Sequence, residues 1–282
     1  MSAVAVPVRT RRPGVRTVYV WELRKLRAQK RTYLGLGAAL LVPLIFIVSL
    51  LFNNGGPEDI PFGDYVRKSG LAIPLVALFF GAFWFFPLVT ALVAGDIVAA
   101  EDGNGTLKTI LTRSVERGQV FVGKTLAALT YAFVALALYV AVGLVLGGIL
   151  WGFNPLVSLS GNTISVERSL ALLGGCVLAY FLPTIAVASL AVLLSTVTRN
   201  SAAAVVGTLM FSLILQLLGI VSALDFLRPY LLPEQFNAWE GLLRDPIDWA
   251  PIVRAAWVSA VFAVPSLACA FTYFLRRDVA GG

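Results

Sequence analysis

Residues 71–98 have the sequence LAIPLVALFFGAFWFFPLVTALVAGDIV, and their only ionisable side chain is Asp96. A helix that spans a membrane needs roughly 20 mainly apolar residues, so this run is long enough to cross a bilayer. It contains an aromatic cluster, FFGAFWFF, from Phe79 to Phe86. Residues 71–98 therefore predict a transmembrane helix, and comparable apolar runs lie on both sides of it.

Six such runs divide the chain. It is 59% hydrophobic and 13% charged, whereas soluble domains carry about 25% charged residues. We therefore predict an all-α, polytopic membrane protein with six transmembrane helices. The predicted spans have approximate ends at 34–52, 71–98, 125–151, 170–197, 202–223 and 252–275. They form a transmembrane domain, 34–275, between a basic N-terminal segment, 1–33, and a tail, 276–282.

The distribution of lysine and arginine predicts the orientation. Six spans place both termini on one side of the membrane, and the basic residues concentrate in the N-terminal segment and the connection between spans 2 and 3. By the positive-inside rule, both termini are cytoplasmic, and we expect a multi-pass protein of the inner (cytoplasmic) membrane. The net charge of +7 follows this topology, so it indicates membrane lipid as a partner and not nucleic acid.

Several functional classes find little support in the composition. The chain has no histidine, and its two cysteines, Cys176 and Cys269, lie inside apolar runs, so no metal site or disulfide framework is indicated. Ionisable residues inside spans mark ion pathways, and only Asp96 comes close to such a position. We expect no catalytic residues and no cofactor bound by this chain.

The segment before the first span, Tyr19–Arg31, has the sequence YVWELRKLRAQKR. Tyr19, Leu23 and Leu26 share one helical face, and basic residues occupy much of the remainder. This pattern predicts an amphipathic helix at the membrane interface. It serves either as a lipid anchor alone or as a helix that also contacts a partner.

The connection between spans 2 and 3 contains EDGNG followed by an amphipathic stretch, Thr106–Arg113. Leu107, Ile110 and Leu111 form its apolar face, and Thr106 is a suitable N-cap. We predict a cytoplasmic helix that offers a docking surface. Nearby, residues 118–125 match the P-loop pattern, but an apolar helix follows them and no soluble α/β domain surrounds them. Lys124 is interpreted instead as an anchor at the membrane surface.

A few side chains inside the spans are candidates for a translocation path. Gln216 lies in span 5, where it either bonds a neighbouring helix or contacts a substrate. The aromatic residues of span 2 either pack or line a hydrophobic path. The candidates are Phe83, Phe86, Thr90 and Gln216.

Three stretches carry a family resemblance: WELRKL at 21–26, AEDGNGTLKTILTRSVERGQVFVGK at 100–124 and YFLRRDV at 273–279. In this order, and with six spans, they resemble the type-2, export-class permease family of ABC transporters. The residues similar to the family's loop pattern are Glu101, Gly105, Thr106, Leu107, Leu111, Arg113, Gly123 and Lys124.

The resemblance implies a half-transporter without its own ATPase domain. Its expected partners are a second permease subunit, identical or different, and cytoplasmic ABC ATPase subunits that bind ATP and Mg. The resemblance also implies a path lined by spans 1, 2 and 5, for a substrate that we expect to be hydrophobic or amphipathic. The residues expected to couple to the ATPase are Glu101, Gly105, Thr106, Leu107, Ile110, Leu111 and Arg113.

Three other functions remain open at the level of sequence. A gradient-driven secondary carrier would have buried ionisable residues or internal repeats, and neither is visible. A membrane-embedded enzyme would have paired acids or a nucleophile with a base. A complex that uses an ATPase for signalling or assembly, without transport, has the same sequence pattern as a transporter.

Overall fold

A computed structural model describes residues 14–52, 57, 60–103 and 116–276. Within these residues the chain forms nine α-helices and one short β-hairpin, which confirms the all-α class. The α-helices are α1 Val15–Ala28, α2 Lys30–Phe52, α3 Ala72–Phe83, α4 Phe85–Ala94, α5 Ala99–Gly103, α6 Arg117–Trp151, α7 Val166–Thr198, α8 Ser201–Ile220 and α9 Ala250–Arg276. The hairpin pairs β1 Leu156–Val157 with β2 Thr163–Ile164, and 3₁₀ helices form at Gly63–Tyr65, Ser222–Leu224, Arg228–Tyr230 and Pro233–Leu243.

Five of the helices, α2, α6, α7, α8 and α9, are long and apolar enough to cross a membrane. They correspond to predicted spans 1, 3, 4, 5 and 6, so the chain is a membrane protein. Some ends differ from the prediction: α6 begins at Arg117 and α7 at Val166, before the apolar runs begin. In α7 the Ser165 side chain accepts a hydrogen bond from the Arg168 backbone N–H, so an N-cap starts the helix ahead of the apolar residues.

The second predicted span is broken. Helices α3 and α4 meet at Trp84 with a bend of 63°, whereas the apolar run suggested one continuous helix. Pro87 explains the position of the break. A proline inside a helix has no N–H to donate and clashes with the carbonyl four residues earlier, which here belongs to Phe83. Trp84 accordingly leaves the helical conformation, with φ −132° and ψ −38°.

The helix bundle has two ends, and we name each after an element that lies there: the α1 end and the hairpin end. At the α1 end, Arg117 donates to the Leu275 carbonyl over 3.0 Å. At the hairpin end, the Gly70 N–H donates to the Gly152 carbonyl over 2.8 Å. The stretch from Gly70 through α5 therefore runs from the hairpin end to the α1 end, where Glu101 of α5 contacts Lys25 of α1.

The hairpin end is packed tightly. A Cβ on Gly70 would lie 2.3 Å from the Gly147 carbonyl carbon, so α6 and the start of α3 approach backbone to backbone, as small residues permit in membrane proteins. The segment 221–249 also belongs to this end. Its Trp239 is fully buried, and Leu159 beyond β1 donates its N–H to the Leu243 carbonyl over 2.9 Å.

Helix α1 is amphipathic, as the sequence predicted, but its buried face is shifted. Val18, Glu22 and Leu26 are its buried residues, while Tyr19 and Leu23 are partly buried beside them. The face packs on α6 close to Gly123, where a Cβ would lie 2.7 Å from a Val18 methyl group. The buried face thus contains a carboxylate, that of Glu22.

Candidate functional site

Four charged side chains meet at the α1 end, and we call them the ion cluster. They are Glu22 and Lys25 of α1, Glu101 of α5 and Lys124 of α6. Lys124 is 1% exposed, Glu22 6% and Glu101 8%. A buried ammonium group and two buried carboxylates require compensation from partners.

The geometry gives each buried charge a partner of opposite sign. Lys124 Nζ lies 3.1 Å from Glu22 Oε2 and 2.7 Å from Glu101 Oε2. It also donates to the Ile97 carbonyl over 3.0 Å, so two carboxylates and one backbone carbonyl surround the ammonium group. Lys25 bonds the second oxygen of each carboxylate, at 3.2 Å for Glu22 and at closer range for Glu101.

The cluster is electrically balanced, with two cations and two anions. Burial lowers the pKa of Lys25, the nearby positive charge of Lys124 lowers it further, and Glu22 opposes both effects.

The interpretation of Lys124 as an anchor at the membrane surface was wrong. Its ammonium group lies inside the protein, because two carboxylates from α1 and α5 replace the solvent that a surface lysine would contact.

Further contacts hold the stretch that contains Glu101. Asp96 forms an ion pair with Arg31 of α2, and Asp102 lies 3.9 Å from Arg199 after α7. The Ser195 hydroxyl oxygen of α7 accepts the backbone N–H groups of Val98 at 3.2 Å and Ala99 at 3.0 Å. Residues 95–103 are therefore bonded to α1, α2, α6 and α7.

In the sequence, Glu101 and Lys124 of the ion cluster lie on either side of the predicted docking helix. Of the residues expected to couple to an ATPase, Glu101 is in the cluster. Gly105, Thr106, Leu107, Ile110, Leu111 and Arg113 lie outside the described residues, as does the predicted helix Thr106–Arg113. Both ends of the 104–115 connection are fixed, because α5 ends at Gly103 beside Glu101 and α6, which carries Lys124, begins at Arg117.

Sequence reasoning did not identify Glu22 and Lys25 as members of a charged site. One signal was available for Glu22, since it lies four residues from both Val18 and Leu26 on the apolar face of a helix. A charged residue on such a face needs a partner. The partner's identity could not be predicted, because α1 and α5 are brought together only by the tertiary fold.

The proposed path residues separate into two groups. Gln216 Nε2 donates to the Phe83 carbonyl over 2.7 Å, and both residues line a cavity of about 440 Å³ between the α3–α4 break, α8 and the 221–249 segment. Phe86 and Thr90 are buried in the bundle core. Phe86 packs edge-on against Tyr139 and Tyr180, with centroids 5.1 and 5.0 Å away.

The Gln216 contact follows from the break in the second predicted span. Pro87 has no N–H, so the Phe83 carbonyl loses its helical donor. An unsatisfied backbone group in an apolar environment costs several kcal/mol, and the Gln216 amide supplies the missing donor. Of the two interpretations of Gln216, bonding to a neighbouring helix is observed, and its position in the cavity wall leaves ligand contact open as well.

Comparison with known proteins gives a family and one curated relative. Residues 36–280 match the family described as "Protein of unknown function (DUF2705)". The chain is also similar to the "Uncharacterized protein YhcI" of Bacillus subtilis (strain 168), with 26% identity over 212 residues that cover 68% of this chain. The match spans 64% of that relative's length. Because the family match covers nearly the whole transmembrane domain, the chain belongs to the DUF2705 family.

Proposed function

We propose that this chain is the membrane-spanning permease subunit of an ATP-driven ABC exporter whose ATPase is a separate polypeptide. The observation that carries the proposal is the ion cluster, in which Lys124 binds both Glu22 and Glu101. It joins α1 to the helices on either side of the 104–115 connection. A segment fixed in this way can transmit a displacement to the bundle.

The mechanism starts at the predicted docking helix, Thr106–Arg113. ATP-driven movement of the ATPase displaces this helix, and the displacement passes to α5 through Gly103 and to α6 through Arg117. Because Glu101 and Lys124 are bonded to each other and to α1, the three helices move together. The movement tilts α4 and α6 and changes access to the path. Glu101, Gly105, Thr106, Leu107, Ile110, Leu111 and Arg113 carry this coupling.

The proposed topology has six spans, with α3 and α4 together forming the second. Support comes from contacts at both ends of this bent pair, Gly70 with Gly152 and Glu101 with Lys124. The α1 end is cytoplasmic, because most lysine and arginine residues lie there. Helix α1 lies at the inner face of the cytoplasmic membrane, and the hairpin end faces outward.

The transporter contains two permease subunits and cytoplasmic ATPase subunits that bind ATP and Mg. The substrate is hydrophobic or amphipathic, since the lining of the cavity is mainly apolar. Phe83 and Gln216 line the substrate path directly. Phe86 and Thr90 support it from the bundle core, where Phe86 fixes the position of α4.

Copurification from the native host tests the proposal. A tagged chain isolated in mild detergent should bring down an ABC ATPase, and scrambling residues 106–113 should abolish its recovery. A scramble of residues 158–162, in the turn at the opposite end, serves as the control and should retain the ATPase. The proposal fails if the intact, monodisperse protein recovers no ATPase, or if both scrambles behave alike.

A further inference from the structure

The 440 Å³ cavity has the dimensions and chemistry of a ligand site. Sites for small molecules have volumes of about 300–1,000 Å³ and mostly apolar walls with a few polar groups. Here the walls are formed by aromatic residues beside the α3–α4 break and by aliphatic residues of α8. Its main apolar residues are Phe79, Phe83, Trp84, Leu213, Leu217 and Ile220.

The polar side chains that line the cavity are Gln216, Arg228, Glu234 and Asn237. Gln216 donates to the Phe83 carbonyl, which leaves its amide oxygen as an acceptor in the wall. Arg228 and Glu234 also line the cavity and form an ion pair at 3.5 Å, with side chains that are 55% and 41% exposed. One positive and one negative charge therefore lie together beside an apolar space.

We propose that this cavity binds a single-chain amphiphile with a zwitterionic headgroup. The apolar chain lies among Phe79, Phe83 and Trp84, and the headgroup exchanges ion pairs with Arg228 and Glu234. An exposed ion pair contributes little stability, so opening it costs little when a ligand replaces both partners. An anionic headgroup would lie beside the like charge of Glu234 at this position, and a cationic headgroup would lie beside that of Arg228.

The volume also limits the ligand. A space of 440 Å³ lies near the lower end of the range for small-molecule sites, which favours one chain over the two chains of a bilayer phospholipid. The inference rests on the proposed function only in making this amphiphile the cargo of the exporter. Binding itself is a property of this chain and requires no ATPase.

The test is photolabelling of the purified full-length protein in a nonionic maltoside detergent. The probe is a single-chain phosphocholine with a diazirine in its acyl chain. We expect saturable labelling of peptides that contain residues 79–84 and 213–220, suppressed by unlabelled single-chain phosphocholine but not by a two-chain phosphatidylcholine. Non-saturable labelling, or saturable labelling confined to other peptides, would overturn the proposal.

A matched pair of glycine variants tests whether the cavity itself is the site. Gly219 lines the cavity, and a Cβ there would lie 3.6 Å from Leu231 Cδ1, so we expect the side chain of Gly219→Leu to occupy part of the cavity. Gly174 lies in α7 with nothing within 4 Å of such a Cβ, so Gly174→Leu is the control. Gly219→Leu should weaken probe binding by about tenfold or more, whereas the control should bind like wild type. Equal affinities for the two variants contradict the proposal.

Headgroup preference tests the role of the ion pair independently of folding. Arg228→Gln should improve binding of a single-chain trimethylammonium probe relative to phosphocholine by about two- to fivefold. Glu234→Gln should do the same for a single-chain phosphate probe. The two opposite shifts support the proposal, and unchanged preferences overturn it. Recovery of the ATPase without probe binding refutes this inference alone, and probe binding without an ATPase refutes only the proposed function.

Discussion

Lys124 Nζ lies 2.7 Å from Glu101 Oε2 and 3.1 Å from Glu22 Oε2, so one buried ammonium group joins α6 to α5 and α1. These three residues are distant in the sequence and come from the N-terminal segment and from both sides of the 104–115 connection. Removing any of them leaves the buried cluster with one uncompensated charge.

Lys124→Met should therefore destabilise the protein by about 3–5 kcal/mol, the usual cost of breaking a buried ion pair. Lys25→Met is the matched control, because it removes the same charge from a side chain that is 42% exposed, and its cost should be smaller than that of Lys124→Met. Unfolding titrations with SDS in mixed micelles measure both values. Equal losses for the two lysines would mean that burial of Lys124 has no energetic role.

A second substitution should partly restore the stability of Lys124→Met. In Lys124→Met, two carboxylates face one remaining cation, Lys25. Adding Glu101→Gln removes the excess negative charge, so the double variant should lose less stability than the sum of the two single variants. A coupling energy of about 1–3 kcal/mol is expected in the same titrations. Additive losses would show that Glu101 and Lys124 do not interact.

Gln216→Leu should cost about 1–3 kcal/mol, because it leaves the Phe83 carbonyl without a donor. Pro87→Ala should reduce that cost, since an alanine N–H at position 87 can reach the Phe83 carbonyl four residues earlier. Ile214→Leu is the control on the same helix, and its side chain is exposed. If Pro87→Ala does not relieve the Gln216→Leu defect, the explanation of the break is wrong.

Glu240 should make stability depend on pH. Burial raises the pKa of Glu240 above its ordinary value, the nearby Glu234 raises it further, and Arg244 opposes both. The folded state therefore binds the proton more tightly than the unfolded state, and this contribution to stability is complete below the unfolded pKa. It is lost as the pH rises through the raised value.

Melting temperatures of wild type and Glu240→Gln across the acidic to neutral range measure this effect. The wild type should lose stability relative to the variant as the pH rises, starting near the ordinary glutamate pKa and continuing above it. A constant difference between the two proteins would exclude a raised Glu240 pKa.

The sequence predicted the features that depend on local composition. Five apolar runs became helices, because hydropathy sums over neighbouring residues and needs no tertiary information. The break at Trp84 was not predicted, although Pro87 was visible, because prolines at 43, 183 and 265 remain inside helices. At the break, the Gln216 amide supplies the donor that the Phe83 carbonyl lacks.

The candidate site was predicted only in part. Glu101 emerged from the loop pattern, whereas its bonds to Lys25 and Lys124 depend on how α1, α5 and α6 pack. Phe83 and Gln216 were predicted for one path and do meet in one cavity wall. In one continuous helix, the spacing of Phe83, Phe86 and Thr90 would place them on one face. In the broken span, Phe83 is exposed whereas Phe86 and Thr90 are buried in the core.

The most direct test of the central claim is site-specific photocrosslinking in native membranes. A photoreactive amino acid at Leu107, Ile110 or Leu111 should yield a crosslinked product that contains an ABC ATPase, and the same amino acid at Leu159, at the opposite end, should not. Absence of an ATPase product from all three positions, with the chain at normal abundance in the membrane, would contradict the assignment as an ATP-driven permease.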